Sequence, residues 1–132
     1  MSRNYKFYDQ SMPYFVSFPV VYWIDLFTRE HYCQTLLESL AYCQEHKGLI
    51  LYSWCFMPSH IHMIIGTRKN PMQNILRDFK SYTSRSIRKQ ITDHVGESRK
   101  KWLLRLMHHT GSTNSNNKDW SRCFGSNSIT IQ

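Results

Sequence analysis

Long apolar runs and paired cysteines are both missing from this sequence of 132 residues. No stretch of 18 apolar residues occurs, so we expect no membrane-spanning helix and no membrane partner. The first residues contain no small-residue cleavage site, and we therefore expect no signal peptide. The four cysteines show no Cys-x-x-Cys spacing. Reduced thiols and a cytoplasmic location are the resulting expectations.

Acidic residues are scarce beside basic ones. The chain has 17 Lys and Arg against 9 Asp and Glu, which gives a net charge of +8 with neutral His. Residues 1–70 contain six basic and five acidic residues, whereas residues 71–132 contain eleven and four. The excess therefore lies almost wholly in the second half. A polyanionic partner, usually nucleic acid, is the favoured interpretation, and a solvated basic face is the alternative.

Hydrophobic periodicity predicts an α+β domain. Pro13 and Pro19 indicate that the first strand lies at a sheet edge or carries a bulge, and Asn70 is expected to cap the second helix before Pro71. The order β-α-β-β-α predicts a ferredoxin-like antiparallel sheet with helices on one face. The other face would be free for a ligand. The predicted strands cover 12–24, 49–57 and 60–66, and the predicted helices cover 28–47, 71–92 and 98–108.

The composition changes after the last predicted helix. Residues 110–119 are almost entirely small and polar, which is typical of a solvated linker. No amphipathic period is recognisable in the residues that follow. We therefore expect one domain over residues 1–109 and a polar, flexible tail over residues 110–132.

Two histidines one residue apart form the sharpest chemical feature. They stand in the run Met-Pro-Ser-His-Ile-His-Met-Ile-Ile at residues 57–65. Side chains alternate along a strand, so His60 and His62 project from one face, about 7 Å apart along the strand. Two such imidazoles suit a divalent metal ion, although a bare His-x-His also occurs without one. Zinc is disfavoured because no Cys or His spacing supplies further ligands, and His108 and His109 are remote candidates.

The predicted helix over 71–92 has an apolar face and a basic face. Tyr82 lies at the border between them. Lysine and arginine side chains of this helix and the next can contact phosphates, and such contacts make affinity fall with salt. The apolar face contains Met72, Ile75, Leu76, Phe79, Thr83 and Ile87. The candidate DNA-binding residues are Arg77, Lys80, Arg85, Arg88, Lys89, Lys100 and Lys101.

The histidine run resembles the histidine-hydrophobic-histidine (HUH) motif of the single-tyrosine transposases. It is most similar to the REP-associated tyrosine transposases. The similarity extends upstream through Trp23-Ile-Asp-Leu-Phe-Thr and downstream through Ile75-Leu-Arg-Asp-Phe-Lys-Ser-Tyr-Thr-Ser. It covers roughly residues 12–107, and nine matching residues are far more specific than two histidines.

This resemblance implies both a fold and a reaction. It implies a ferredoxin-like domain in which His60 and His62 bind Mg²⁺ or Mn²⁺ to polarise a phosphate of single-stranded DNA. A tyrosine then attacks the phosphorus, forms a 5′-phosphotyrosine and frees a 3′-hydroxyl. It also implies that the protein recognises DNA hairpins and works as a homodimer.

One expected residue is missing. The nucleophilic tyrosine of the family lies on a helix near the C-terminus, but this sequence has no tyrosine after Tyr82. We therefore expect a truncated or frame-disrupted member, and an inactive protein that only binds DNA or RNA hairpins is the main alternative. A metal-binding or interaction domain without a nucleic-acid role is a further one. Tyr82 is a weak candidate nucleophile, since it is more simply interpreted as a half-buried residue that packs the helix.

Overall fold

A four-stranded antiparallel sheet forms the framework of the protein. The computed structural model describes residue 7, residues 9–113 and residues 128–130. The strands follow the spatial order β2-β3-β1-β4. They are β1 (Tyr14–Pro19), β2 (Leu49–Phe56), β3 (His60–Thr67) and β4 (Ser128–Thr130). The helices are α1 (Glu30–His46), α2 (Met72–Asp93) and α3 (Lys100–Thr113).

The strand order confirms the predicted ferredoxin-like α+β fold. β3 lies between β1 and β2 and pairs antiparallel with both, and β4 pairs antiparallel with the free side of β1. Alternate side chains of β1 and β3 enter a core shared with α1 and α2. Those two helices therefore cover one face of the sheet, and α3 packs against α2.

The first strand is shorter and more central than predicted. It ends at Pro19, and a tight turn at Val21–Trp23 and a second turn at Leu26–Thr28 precede α1. β1 pairs on both sides, so the expectation of an edge strand is wrong. The two prolines are compatible with a central strand because Pro13 precedes β1 and Pro19 is its last residue.

The start of α2 also differs from its prediction. Pro71, not Asn70, is the residue before the first helical turn, and its side chain makes no capping hydrogen bond. The Met72 N–H instead donates to the Gln10 Oε1 atom at 2.8 Å. Because Gln10 lies 62 residues away, a local capping rule could not identify it.

The boundary between helix and tail is less sharp than the composition indicates. α3 continues to Thr113, so residues 110–113 are helical instead of forming a linker. Ser128–Thr130 form β4, a strand of three residues that is too short to give a recognisable pattern. Residues 114–127, 131 and 132 lie outside the described residues, and the domain boundary after residue 109 stays a prediction. No helix among the described residues has the length and apolar character needed to cross a bilayer.

A buried carboxylate ties the segment before α3 to α1. The Glu97 side chain accepts hydrogen bonds from the Tyr32 hydroxyl at 2.8 Å and from the Arg99 N–H at 3.2 Å, and the Arg29 guanidinium lies 3.6 Å away. Burial raises the pKa of Glu97, but these donors and the neighbouring cations outweigh it and hold the pKa below its ordinary value. Glu97 therefore stays ionised and fixes the position from which α3 begins.

Lys80 lies inside the protein, contrary to its prediction as an exposed DNA-binding residue. Only 1% of Lys80 is exposed, and its Nζ atom lies 4.6 Å from the centre of the Phe18 ring. The helical wheel predicts an exposed side chain at this position, but the Nζ atom lies over the Phe18 ring, between α2 and β1. α1 and α3 also pack against α2, so more of this helix is covered than its apolar stripe. The buried Lys80 ammonium cannot reach a phosphate on the surface.

We expect Lys80→Met to leave the fold intact and to change how the free energy of unfolding depends on pH. Burial lowers the pKa of Lys80 well below its ordinary value of 10.5. Between that lowered pKa and about 10.5, the unfolded chain holds more protons, so the free energy of unfolding rises with pH. Lys80→Met should remove this rise.

Urea denaturation at pH 7 and pH 9.5 measures this rise. Lys89→Met, on the exposed side of the same helix, is the matched control and should change little. A free energy of unfolding that rises with pH as much in Lys80→Met as in the unaltered protein would contradict the lowered pKa of Lys80.

Candidate metal centre and nucleic-acid interface

His60 and His62 lie on the face of the sheet opposite the helices. Ile61 and Met63 alternate with them along β3 and are buried in the core. The two imidazole rings are 4.6 Å apart between centroids, at an interplanar angle of 81°. The strand alternation thus places both rings side by side on the open face, as the sequence predicts.

Three side chains hold these rings in place. The Phe15 ring stacks on His62 at 5.6 Å and 19°, from the neighbouring strand β1. The Trp23 ring meets His60 edge-on at 5.5 Å and 65°. The Ser59 hydroxyl lies 3.3 Å from His60 Nδ1. Both imidazoles are therefore oriented by contacts on either side of the pair.

The surroundings of His62 favour the neutral imidazole, which is the form that binds metals. Burial, and secondarily the nearby His60, lower the pKa of His62. His62 therefore stays neutral at pH 7, and its Nδ1 atom is buried without a hydrogen-bond partner. The two imidazoles, with the unpaired Nδ1 atom of His62, can supply part of the ligand set of a divalent ion. Across the described residues, no group of three or more His, Cys, Asp or Glu side chains could hold an ion.

Other functional groups share the open face. Cys55 and Ser17 stand directly opposite His62 on the two neighbouring strands, and the Cys55 residue is exposed. Tyr52 lies over Gly66, where a Cβ atom would come within 3.2 Å of the Tyr52 ring. Glycine at position 66 therefore lets the ring lie close to the sheet. Sequence reasoning missed these residues because only the strand register brings them to the histidines.

The basic side chains are concentrated on the helical side. Arg85 and Lys89 are exposed, and together with the half-buried Arg88 they line a cleft of about 410 Å³ between α2 and α3, near His108. Arg77 forms an ion pair with Asp78 at 3.1 Å. On α3, Lys101 is exposed and Lys100 is half-buried. The structure thus groups some of the predicted phosphate contacts, but not beside the histidine pair.

Tyr82 also lies on the helical side. It is 53% exposed, not packed as the simpler interpretation of the sequence expects. It lines a cavity of about 590 Å³ between α1 and α2, together with His31, Lys89 and His94. The core and the sheet separate this cavity from His60 and His62. The structure therefore does not bring Tyr82 to the histidine pair.

Comparisons with known proteins agree with this fold. A family model described as "Transposase IS200 like" matches residues 10–126. A crystal structure of a protein from Deinococcus radiodurans R1, provisionally assigned as a transposase, aligns with a TM-score of 0.61 at 14% identity. The alignment covers 98% of this chain and 85% of that one. At this identity the likeness concerns the fold. No curated protein gives a significant match.

The family match is the stronger of these findings. It spans strands β1 to β3, the histidine pair and all three helices. It also confirms the family resemblance drawn from the histidine run. Because the matched residues make up well over half of the sequence, this chain belongs to the IS200-like family of transposases.

Proposed function

We propose that this chain binds single-stranded DNA across the open face of its sheet, at His60 and His62, as a DNA-cutting and DNA-joining transposase. The observation that carries the proposal is the histidine pair on the face that no described helix covers. Transposases act on DNA, and the +8 net charge suits a polyanion. Exposed aromatic side chains at this face are suited to unpaired bases.

The metal expected at the pair is Mg²⁺ or Mn²⁺. Imidazole nitrogen suits transition metals better than Mg²⁺, so Mn²⁺ is the better fit of the two. The neutral His62 ring and the His60 ring would hold the ion, with water and phosphate oxygens as further ligands. When bound, such an ion supplies Lewis-acid polarisation of a phosphate oxygen. Ser59, Phe15 and Trp23 keep both rings oriented toward it.

Strand cleavage requires a nucleophile on the open face. In the expected reaction a tyrosine oxygen bonds to phosphorus, the bond to the 3′ oxygen breaks, and that oxygen leaves with a proton as a 3′-hydroxyl. Tyr82 is on the other side of the sheet, which favours the second candidate function. In that function the chain binds DNA or RNA hairpins without cutting them. Hairpin recognition, a homodimer and a cytoplasmic location remain predictions.

We expect the double variant His60→Ala/His62→Ala to lose metal binding. Outer-shell changes cost roughly 10- to 100-fold in metal affinity, and removal of both ligands should cost at least as much. Electron paramagnetic resonance of free Mn²⁺ measures the affinity of the folded chain directly. His46→Ala, which removes an exposed histidine of α1, is the control. An Mn²⁺ affinity equal to that of the unaltered protein would contradict the metal assignment.

We expect Tyr82→Phe to leave any covalent chemistry unchanged, since Tyr82 cannot reach the histidine pair. The chain is incubated with Mn²⁺ and hairpin-bearing single strands, and covalent adducts are resolved on a denaturing gel. An adduct that Tyr82→Phe abolishes would contradict the placement of the site. The absence of an adduct in the unaltered protein, with binding retained, would establish the binding-only function instead.

We expect the cleft between α2 and α3 to bind phosphates of a hairpin stem. Each lost phosphate contact lowers the slope of log affinity against log salt by about 0.7–0.9. Arg85→Gln/Lys89→Gln should therefore lower the slope by about 1.5. Fluorescence anisotropy over a salt series measures it, and Lys80→Met is the control because Lys80 is buried. An unchanged slope would exclude the cleft, and no binding at low salt would overturn the DNA-binding function itself.

A further inference from the structure

Two consecutive aromatic residues adopt a backbone conformation that is unusual for their type. Tyr22 has φ 55° and ψ 20°, and Trp23 has φ 53°. The left-handed region is uncommon for residues other than glycine, asparagine and aspartate, and bulky residues there are strained. Both side chains are nevertheless exposed, Tyr22 by 55% and Trp23 by 64%. Burial of these two rings therefore does not account for the strain.

The turn that carries them is anchored on both sides. Val21 and Ile24 are buried in the core. The Val20 N–H donates to the Ser59 carbonyl at 2.8 Å, and the Phe27 N–H donates to the Pro58 carbonyl at 3.0 Å. Pro58 and Ser59 directly precede His60. The turn is therefore fastened to the loop that leads into the histidine pair, and its two rings are held at a defined place.

The two rings lie between the histidine pair and α3 and contact both. Trp23 contacts His60 with 5.5 Å between ring centroids, and Tyr22 stacks on His109 of α3 at 6.5 Å and 28°. Trp23 is therefore the aromatic side chain through which this turn meets the pair. Its exposed surface lies directly beside the His60 ring.

The charge nearby matches a nucleic-acid strand. α3 packs against this turn and carries the exposed cations Lys101 and Arg105. Aromatic side chains bind unpaired bases by stacking with little sequence preference, while neighbouring cations follow the phosphate backbone. Exposed rings beside a basic helix thus have the two features that single-strand recognition requires.

We propose that Tyr22 and Trp23 form a stacking platform for unpaired bases that flank the phosphate bound at His60 and His62. The ligand class is a single-stranded oligonucleotide with at least one unpaired base. The platform rests on the proposed function, because it needs a strand at the histidine pair. The strained backbone turns both rings outward, and the anchored turn fixes them before the strand binds.

The variant Trp23→Asn separates a binding role from a structural one. Asparagine tolerates the left-handed conformation, so the variant should unfold at a temperature no lower than that of the unaltered protein. Its affinity for a hairpin with an unpaired flank should nevertheless fall on the order of 5- to 100-fold, the effect of losing one base–aromatic stack. Trp23→Phe keeps a ring and should restore most of the affinity. Tyr42→Ala removes another exposed aromatic side chain, a tyrosine of α1 that is 54% exposed, and is the control.

The nucleic-acid probe supplies an independent readout in the unaltered protein. 2-Aminopurine, whose fluorescence is quenched by stacking, is placed at each position of the unpaired flank in turn. We expect quenching at one or two adjacent positions, its loss in Trp23→Asn, and no effect of that variant on a blunt hairpin. Quenching at no position would overturn the platform even if Trp23→Asn failed to fold.

The outcomes distinguish the two proposals. If the unaltered protein binds the flanked hairpin and Trp23→Asn binds it equally well, the platform is wrong and the proposed function stands. If the unaltered protein binds no single strand at low salt, the proposed function fails and the platform fails with it.

Discussion

The two-residue alternation of β3 is the constraint on which the rest of the molecule depends. Its odd-numbered residues from Ile61 to Ile65 belong to the core, and this requires His60 and His62 to face away from it. A slip of one residue in register would bury both imidazoles and expose the core. A bulge in β2 between Leu51 and Ser53 maintains the same separation of core-facing and open-facing side chains. Beyond it, Cys55 pairs with His62 and lies on the open face.

The sequence predicts those features that depend on local period. The alternation of β3 and the apolar stripe of α2 are both readable, because each is a repeat within one element. The burial of Lys80 cannot be predicted from the helical period, since it depends on a contact with the Phe18 ring of β1, which is distant in sequence. The same holds for the Gln10 contact at the start of α2 and for Ser128–Thr130, which is recognised as a strand only through its pairing with β1.

The division into two faces also limits the chemistry. The exposed cations of α2 and the histidine pair lie on opposite sides of the sheet. A DNA segment that contacts both must therefore pass around an edge or an end of the sheet, as a hairpin with an unpaired flank can. The same geometry excludes a reaction between Tyr82 and a phosphate at His60 within one chain. Any nucleophile for that phosphate must approach from the open face.

The turn at Tyr22 and Trp23 lies beside the histidine pair. The strain of its backbone has a physical interpretation. A left-handed non-glycine residue costs about 1–3 kcal/mol, and two of them in succession persist only where the surroundings determine the backbone. This backbone is held in place by the hydrogen bonds to Pro58 and Ser59 and by the burial of Val21. Asparagine or glycine would meet the same backbone requirement with less strain. The backbone of this turn therefore does not require aromatic side chains, and the exposed surface of Trp23 beside His60 is suited to a ligand.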